Sequence, residues 1–487
     1  MNKLVANHPE SLKVFFLTEM WERYGFYVVQ TLLVLYLTLH FKWDDKHAFE
    51  LVGAFTAMTY ISSLVGGWIA DHLLGQKRAI IFATAILLMS YTLLAFLQFR
   101  TGLLISLAGI CVGTGLLKPN ISSLLGNEYP LNSPSRESGF TLFYIGITTG
   151  IFLGSTLPNI IHKYFGWPTA FFSASIGILF ACIIFIYGIY RYKIQDYHAY
   201  EHTPPKIALT TLIISLLFLG ILKIFDYPII ANLSFTTIIV ICISYIIHAA
   251  KTEKGLQSNQ NIIIGLLCVI STFFWAFNFQ MFSSFALLIT RIVEPTLFGI
   301  SFPAPYYVAV QSIGLIVFGF LLAKPKYHQS VSNHAEHIGK KFFRSMMLMT
   351  LAYASATLIL YFNTSTGLLP PLLILPVYLI ISAAEILLSP VGLAAMTLLS
   401  SPKKVSTMMG IFFVSLGTGG FLSGKLASFA AIPSTDLPIS MVKQYYTAAF
   451  SKMLCLLIIA TVFCYFVNLL IKYLLKEKIT AHSSSQA

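Results

Sequence analysis

Ala79-Ile-Ile-Phe-Ala-Thr-Ala-Ile-Leu-Leu-Met-Ser-Tyr-Thr-Leu-Leu-Ala-Phe-Leu-Gln98 runs for twenty residues without a charge. At about 1.5 Å of rise per residue, a helix of this length crosses the roughly 30 Å of hydrocarbon in a bilayer. Similar runs recur on either side of it, at 14–39, 51–71, 103–124, 139–159 and 170–190. A second group follows at 261–289, 304–323, 342–362, 371–399, 406–431 and 447–474, with two further runs between the groups, at 207–224 and 229–250. The pattern predicts an all-α polytopic membrane protein of about 14 transmembrane helices, counted as six, two and six.

Composition agrees. Of the 487 residues 57% are hydrophobic and 10% charged, against roughly 25% charged in soluble domains, which excludes an ordinary soluble globule. The expected divisions are an N-terminal six-helix bundle (1–190), an inserted helix pair with its linkers (191–260), a C-terminal six-helix bundle (261–479) and a polar cytoplasmic tail (480–487). The net charge of +13 would raise the question of nucleic acid in a soluble chain, but here the positive charge sits in loops. With the N-terminus inside, twenty of the 31 Lys and Arg fall in inner loops and tails, so both termini are expected in the cytoplasm. The first span carries two acids and an Arg without a small-residue cleavage site and is expected to be retained.

Cys111, Cys182, Cys242, Cys268, Cys455 and Cys464 lie in apolar runs without CxxC spacing, so neither a disulfide framework nor a metal knuckle is indicated. His328, His334 and His337 have no acid or Cys to complete a familiar metal spacing. No HExxH, G-x-S-x-G or dinucleotide fingerprint occurs. The chain therefore reads as no enzyme, with no catalytic residue, metal or cofactor assigned.

An ionisable group at bilayer depth costs at least a few kcal/mol and asks for a partner or a task. Glu19, Glu22, Arg23, Phe26, Tyr27 and Gln30 follow helical spacing and share one face of the first span, a lining for a polar cavity or an internally neutralised packing cluster. Lys118 lies deep in the fourth span, where it seeks a carboxylate such as Glu19 or Glu22 or snorkels to an interface. Glu385, with Tyr378, Ser382 and Ser389 on its face, is placed to hold an ammonium group or, protonated, to bond a neighbouring helix. Lys425 ends a near phosphate-loop pattern, Gly419 to Leu426, but Leu426 stands where Ser or Thr is required; small-residue helix packing is the better reading. Gly146, Gly150 and Gly154 are spaced for close helix approach.

Four of these segments resemble the proton-dependent oligopeptide transporter family of the major facilitator superfamily. Glu19-Met-Trp-Glu22-Arg23-Tyr24 looks like its ExxER segment, and Gly66-Gly-Trp-Ile-Ala-Asp71-His-Leu-Leu-Gly75-Gln-Lys-Arg78 like its signature between the second and third helices. Gly115-Leu-Leu-Lys118-Pro119-Asn120 is similar to its fourth-helix lysine motif, and Glu385-Ile-Leu-Leu-Ser389-Pro390-Val391-Gly392-Leu393 to its tenth-helix motif. The resemblance implies the major facilitator fold, two six-helix bundles plus an inserted pair, around a cavity alternately open to either side.

It also implies proton-coupled import of di- and tripeptides across a bacterial inner membrane, by a protein working as a monomer in the lipid bilayer, with no nucleic-acid partner. Glu19, Glu22 and Arg23 would couple protons, with Lys118 as their salt-bridge partner and a contact for the peptide carboxylate. Glu385 would receive the peptide ammonium. Tyr27, Gln30, Tyr60, Thr148, Trp275, Asn278, Gln311 and Ser389 would line the substrate site. The chain departs from the pattern at Gln30, where many members have Arg, at Phe26 and Val28, at Thr148, Gln311 and Gly420, each in place of an Asn, at Phe279 in place of an acid and at Phe412 in place of a Trp. These changes leave open another amphoteric small molecule, such as a modified amino acid, as substrate on the same fold.

Overall fold

The computed structural model describes residues 8–129, 135–196, 203–253, 255–322, 331–363, 367–401, 404–434 and 436–483. Helix dominates because a backbone in hydrocarbon must satisfy its N–H and C=O groups within its own segment. The helices are α1 (Leu12–Leu35), α2 (Asp45–Ile69), α3 (Gln76–Phe96), α4 (Arg100–Asn127), α5 (Ser135–Tyr192), α6 (Pro204–Asp226) and α7 (Pro228–Thr252), followed by α8 (Leu256–Asn278), α9 (Ser284–Ile292), α10 (Pro305–Leu322), α11 (Val331–Phe362), α12 (Pro371–Leu399), α13 (Val405–Ala427) and α14 (Ile439–Ser483). A short hairpin, β1 (Thr296–Leu297) and β2 (Ile300–Ser301), turns through Phe298 and Gly299, both at positive φ.

Among the described residues eleven helices are long and apolar enough to cross a membrane, and Pro305–Leu321 is a shorter apolar one. The runs 139–159 and 170–190 are two helices that abut at Gly166, where φ is 80°, and are labelled together as α5. The expected spans at 14–39 and 261–289 look different in the structure. The run 261–289 is interrupted after Asn278 by a 3-10 turn, Phe279–Phe282, before α9 resumes. Gln280 satisfies that break: its amide nitrogen donates to the Ala276 and Ser423 carbonyls, and its amide oxygen accepts from the Ser283 and Ser284 hydroxyls. The first helix widens to a π turn at Tyr36–His40.

The chain divides into two compact units, residues 1–42 with 54–231 and residues 43–53 with 232–487. In the first, Gly146, Gly150 and Gly154 of α5 bring α1 against it: added Cβ atoms would fall against the carbonyls of Phe16, Met20 and Tyr24. Gly66 of α2 meets Gly115 of α4 in the same way. In the second unit Gly314 of α10 closes on Ser382 of α12, and Gly424 of α13 on Gly53 of α2. Small residues at crossings are what a bilayer demands, because lipid tails supply no hydrophobic drive to pull helices together. The α6 and α7 helices present mostly exposed apolar side chains. The His328 metal question falls on a residue outside the described ones, as do the side chains of His334 and His337 and residues 484–487 of the tail.

Candidate functional site

In the first unit the α1 face is buried by the α5 glycines. Arg23 wraps back along its own helix and grips Glu22 with two donors, Nε to Oε2 and a terminal nitrogen to Oε1 at 2.7 Å. Its Nε lies 3.5 Å from Glu19 Oε1, while Glu19 Oε2 is buried with no hydrogen-bond partner among the described residues. The guanidinium also sits 5.0 Å from the Phe26 ring. Two acids thus share one cation, and Glu19 is the less completely neutralised.

Lys118 does not form the expected salt bridge. Its ammonium stands over the Tyr60 ring at 4.4 Å, near enough to Glu19, Glu22 and Arg23 to feel their charges. The cause is local packing: the close crossing of α2 and α4 at Gly66 and Gly115 sets Tyr60 against the turn that carries Lys118. Asn120, two residues on, anchors that turn by donating to the Leu116 carbonyl at 2.6 Å and to the Gly66 carbonyl at 3.4 Å. Gln30 donates to Thr56 Oγ1 at 3.0 Å, and its own amide oxygen is buried without a partner among the described residues. Tyr27 lies edge-on to Phe26. Thr148 is buried, and its hydroxyl donates to the Tyr144 carbonyl of its own helix.

In the second unit Glu385 of α12 receives two amides on a single oxygen. Gln311 Nε2 of α10 donates to Oε2 at 2.8 Å and Asn278 Nδ2 of α8 at 3.2 Å. The Gly314 crossing makes this possible by letting Ser382 bond the Gln311 carbonyl at 2.9 Å, which draws the Gln311 turn onto α12. Both donors taken by one oxygen leave Oε1 open to a cation. Trp275 Nε1 and Asn278 Oδ1 are buried and unpartnered among the described residues, and the Trp275 ring stacks on Phe279 at 5.1 Å. Ser389 lies half-buried one turn beyond Glu385. Ser382 and Tyr378, read from the sequence as companions of the acid, instead hold α12 to α10: Ser382 bonds backbone, and Tyr378 packs on Tyr307 at 5.4 Å.

The sequence profile of the POT family matches residues 77–448, about three quarters of the chain. The chain belongs to the POT family. It is 26% identical over 454 residues to dipeptide and tripeptide permease B of Yersinia enterocolitica, covering 92% of each chain. It is 27% identical over 430 residues to dipeptide and tripeptide permease A of Erwinia pyrifoliae, covering 87% of this chain and 86% of that one. Among solved structures, a proton-dependent oligopeptide transporter superposes with a TM-score of 0.81 at 25% identity, over 95% of this chain and 99% of that chain. A POT peptide transporter in complex with alafosfalin shares the fold, with a TM-score of 0.83 at 23% identity over 97% of both.

This POT-family chain holds further ion pairs whose partners sequence reading did not find. Arg291 at the end of α9 makes a bidentate pair with Asp45 of α2, both bonds 2.7 Å, and donates to the Tyr446 hydroxyl at 3.0 Å; Asp45 also accepts the Ile432 N–H. Lys425 donates to Glu50 at 2.9 Å, so its part in the small-residue crossing at Gly424 comes with an ionic partner. Glu253, just past α7, is held by Lys404 at 2.7 Å, with Asn261 and Ser401 beside it, and the Lys404 hydrogen bond keeps its carboxyl below the usual range. Asp45 is the first residue of α2, and Arg291 lies 246 positions from it. No periodicity links such positions.

Proposed function

We propose that this protein is a proton-coupled symporter that imports di- and tripeptides across a bacterial cytoplasmic membrane by alternating access, with both termini inside and a monomer as the working unit. The observation that carries the coupling scheme is the buried cluster in which Arg23 satisfies Glu22 and leaves one oxygen of Glu19 without a donor. A buried carboxylate oxygen of that kind is stabilised by taking a proton. Glu19 is therefore the proton acceptor, Glu22 and Arg23 fix its surroundings, and Lys118 responds to its charge.

Protonation of Glu19 removes the negative charge that attracts Lys118, and the ammonium turns to the carboxylate of an incoming peptide. Glu385, through its open Oε1, receives the peptide ammonium. Tyr27, Gln30, Tyr60, Thr148, Trp275, Asn278, Gln311 and Ser389 complete the lining. The two bundles, 1–190 and 261–479, then exchange access while the pair within 191–260 stays peripheral. Only a difference in affinity between the two states drives that exchange. A membrane potential of 100 mV supplies about 2.3 kcal/mol per charge, enough for a gradient of some tens-fold at about 1.4 kcal/mol per decade.

The test uses purified protein in liposomes loaded with a pH-sensitive dye, with dialanine added under an inside-negative potential. Dipeptide-dependent acidification of the lumen is expected. Its absence with folded protein moves the assignment to another amphoteric small molecule on the same fold. Glu19→Gln should abolish acidification while leaving peptide exchange between the two sides intact, and acidification at the wild-type rate would refute the role given to Glu19.

A further inference from the structure

The two helices of the inserted pair are fastened to different partners. α6 lies along α4 and beside the π turn at Ala70–Leu74, both of the first unit. Its Asp226 takes Arg100 at 3.0 Å, the Phe218 ring lies against Gly109 of α4, and Ile221 between them is fully buried. α7 runs antiparallel to α13 of the second unit and is held at both ends. Phe235 near its start stacks on Phe421 at 4.1 Å, and Glu253 just past its end pairs with Lys404 at 2.7 Å. These two anchors are separated by about 26 Å of helix. Ile246 closes on Gly265 of α8, and Asn261 of α8 donates to the Ala249 carbonyl at 3.1 Å.

α6 and α7 are joined through Tyr227, whose backbone is extended (φ -125°, ψ 102°) as the following Pro228 requires. Proline has no N–H to carry the α6 ladder across the junction, so the chain there is a bend that rotation about single bonds can open or close. The division between the two compact units falls just beyond it, at Ala231 in the first turn of α7. We propose that the inserted pair is a pivot and not a body of its own: α6 travels with the first unit, α7 with the second, and their relative motion is taken up at Tyr227–Pro228. The inference rests on the alternating-access reading and gives the pair a task within it. One intervening residue keeps the near ends within about 7 Å of each other, while the far ends, about 35 Å away, are free to swing. The link thus favours rocking over separation. A rotation of about 15°, a size known for subunit rearrangements, moves Leu209 relative to Ile247 by about 7 Å, since each lies about 27 Å of helix from the junction.

The experiment is double electron–electron resonance on the full chain in detergent, its six native cysteines replaced by Ala. Nitroxide labels are placed in pairs at Leu209→Cys, Ile247→Cys, Met89→Cys of α3 and Val462→Cys of α14, all exposed positions. On acidification with dialanine, the Leu209–Met89 and Ile247–Val462 distances should stay fixed, while Leu209–Ile247 shifts by about 7 Å together with Met89–Val462. A fixed Leu209–Ile247 distance while Met89–Val462 moves overturns the pivot and leaves alternating access standing. A fixed Met89–Val462 distance overturns both. Hydrogen exchange with the native cysteines in place tests the attachments without any transport step. Ile221→Ala should raise exchange in α6 and not in α7, and Phe235→Ala should raise it in α7 and not in α6. Loosening of both helices alike by either variant would show a single body and overturn the proposal.

Discussion

Replacing Glu385 by Gln isolates the ammonium site from the fold. The carboxylate accepts two amides on Oε2, from Gln311 at 2.8 Å and Asn278 at 3.2 Å, and a glutamine oxygen in the same place accepts both. Shape and helix contacts are thus kept, and what is lost is the charge offered by Oε1. A hydrogen bond to a charged group contributes about 1.5–3 kcal/mol, which at about 1.4 kcal/mol per decade is a ten- to hundredfold loss of affinity. The assay is calorimetric titration of purified protein with dialanine and with N-acetyl-dialanine, which lacks the ammonium. Wild type should favour dialanine by that ten- to hundredfold, and Glu385→Gln should bind the two alike, closing a cycle that assigns the difference to this one pair. A variant that still prefers dialanine by the wild-type ratio would place the ammonium elsewhere and refute the reasoning.

Removing Arg23 strands two buried carboxylates, and breaking a buried pair in this way costs about 3–5 kcal/mol; Arg23→Ala should lose thermal stability in detergent, with Arg23→Lys recovering only part because it lacks the two-pronged fork. At Gly150 an added side chain meets the Met20 carbonyl and Arg23 Cβ, so Gly150→Leu should destabilise by about 1–3 kcal/mol, seen as a lower melting temperature by size-exclusion fluorescence. Glu253 has a folded pKa below its ordinary value because of Lys404. Its contribution is therefore present above the unfolded value of about 4.3 and fades as pH falls through the lower folded value. The stability advantage of wild type over Lys404→Gln should accordingly be constant from pH 7 to 5 and shrink below about 4.3, and an advantage that grows on acidification would contradict the pair. Asp45→Asn leaves Arg291 partly buried without its counter-charge and should lower thermal stability, by a shift that Arg291→Gln in the same chain partly reverses.

Much of this protein was legible in one dimension. Apolar runs of about twenty residues located the helices because, in lipid, a segment must satisfy its own backbone and so declares itself without reference to neighbours. Helical spacing put Glu19, Glu22 and Arg23 on one face, and the glycine spacing of α5 marked a close crossing. The break after Asn278 was not legible, because Gln280 repairs it with a carbonyl from Ser423, 143 positions away.

The apolar runs alone located the membrane helices, and the charges inside those runs, Glu19, Glu22, Arg23, Lys118, Glu385 and Lys425, stood out with them. The tertiary structure alone decided the partners: Arg23 rather than Lys118 for the two acids, Tyr60 for Lys118, Asn278 and Gln311 for Glu385, Arg291 for Asp45, and Glu50 for Lys425. The physical reason is that periodicity records only which face of a helix is polar. Which helix meets that face is set by side-chain packing at small-residue crossings, and hydrocarbon gives no hydrophobic gradient from which that choice could be read.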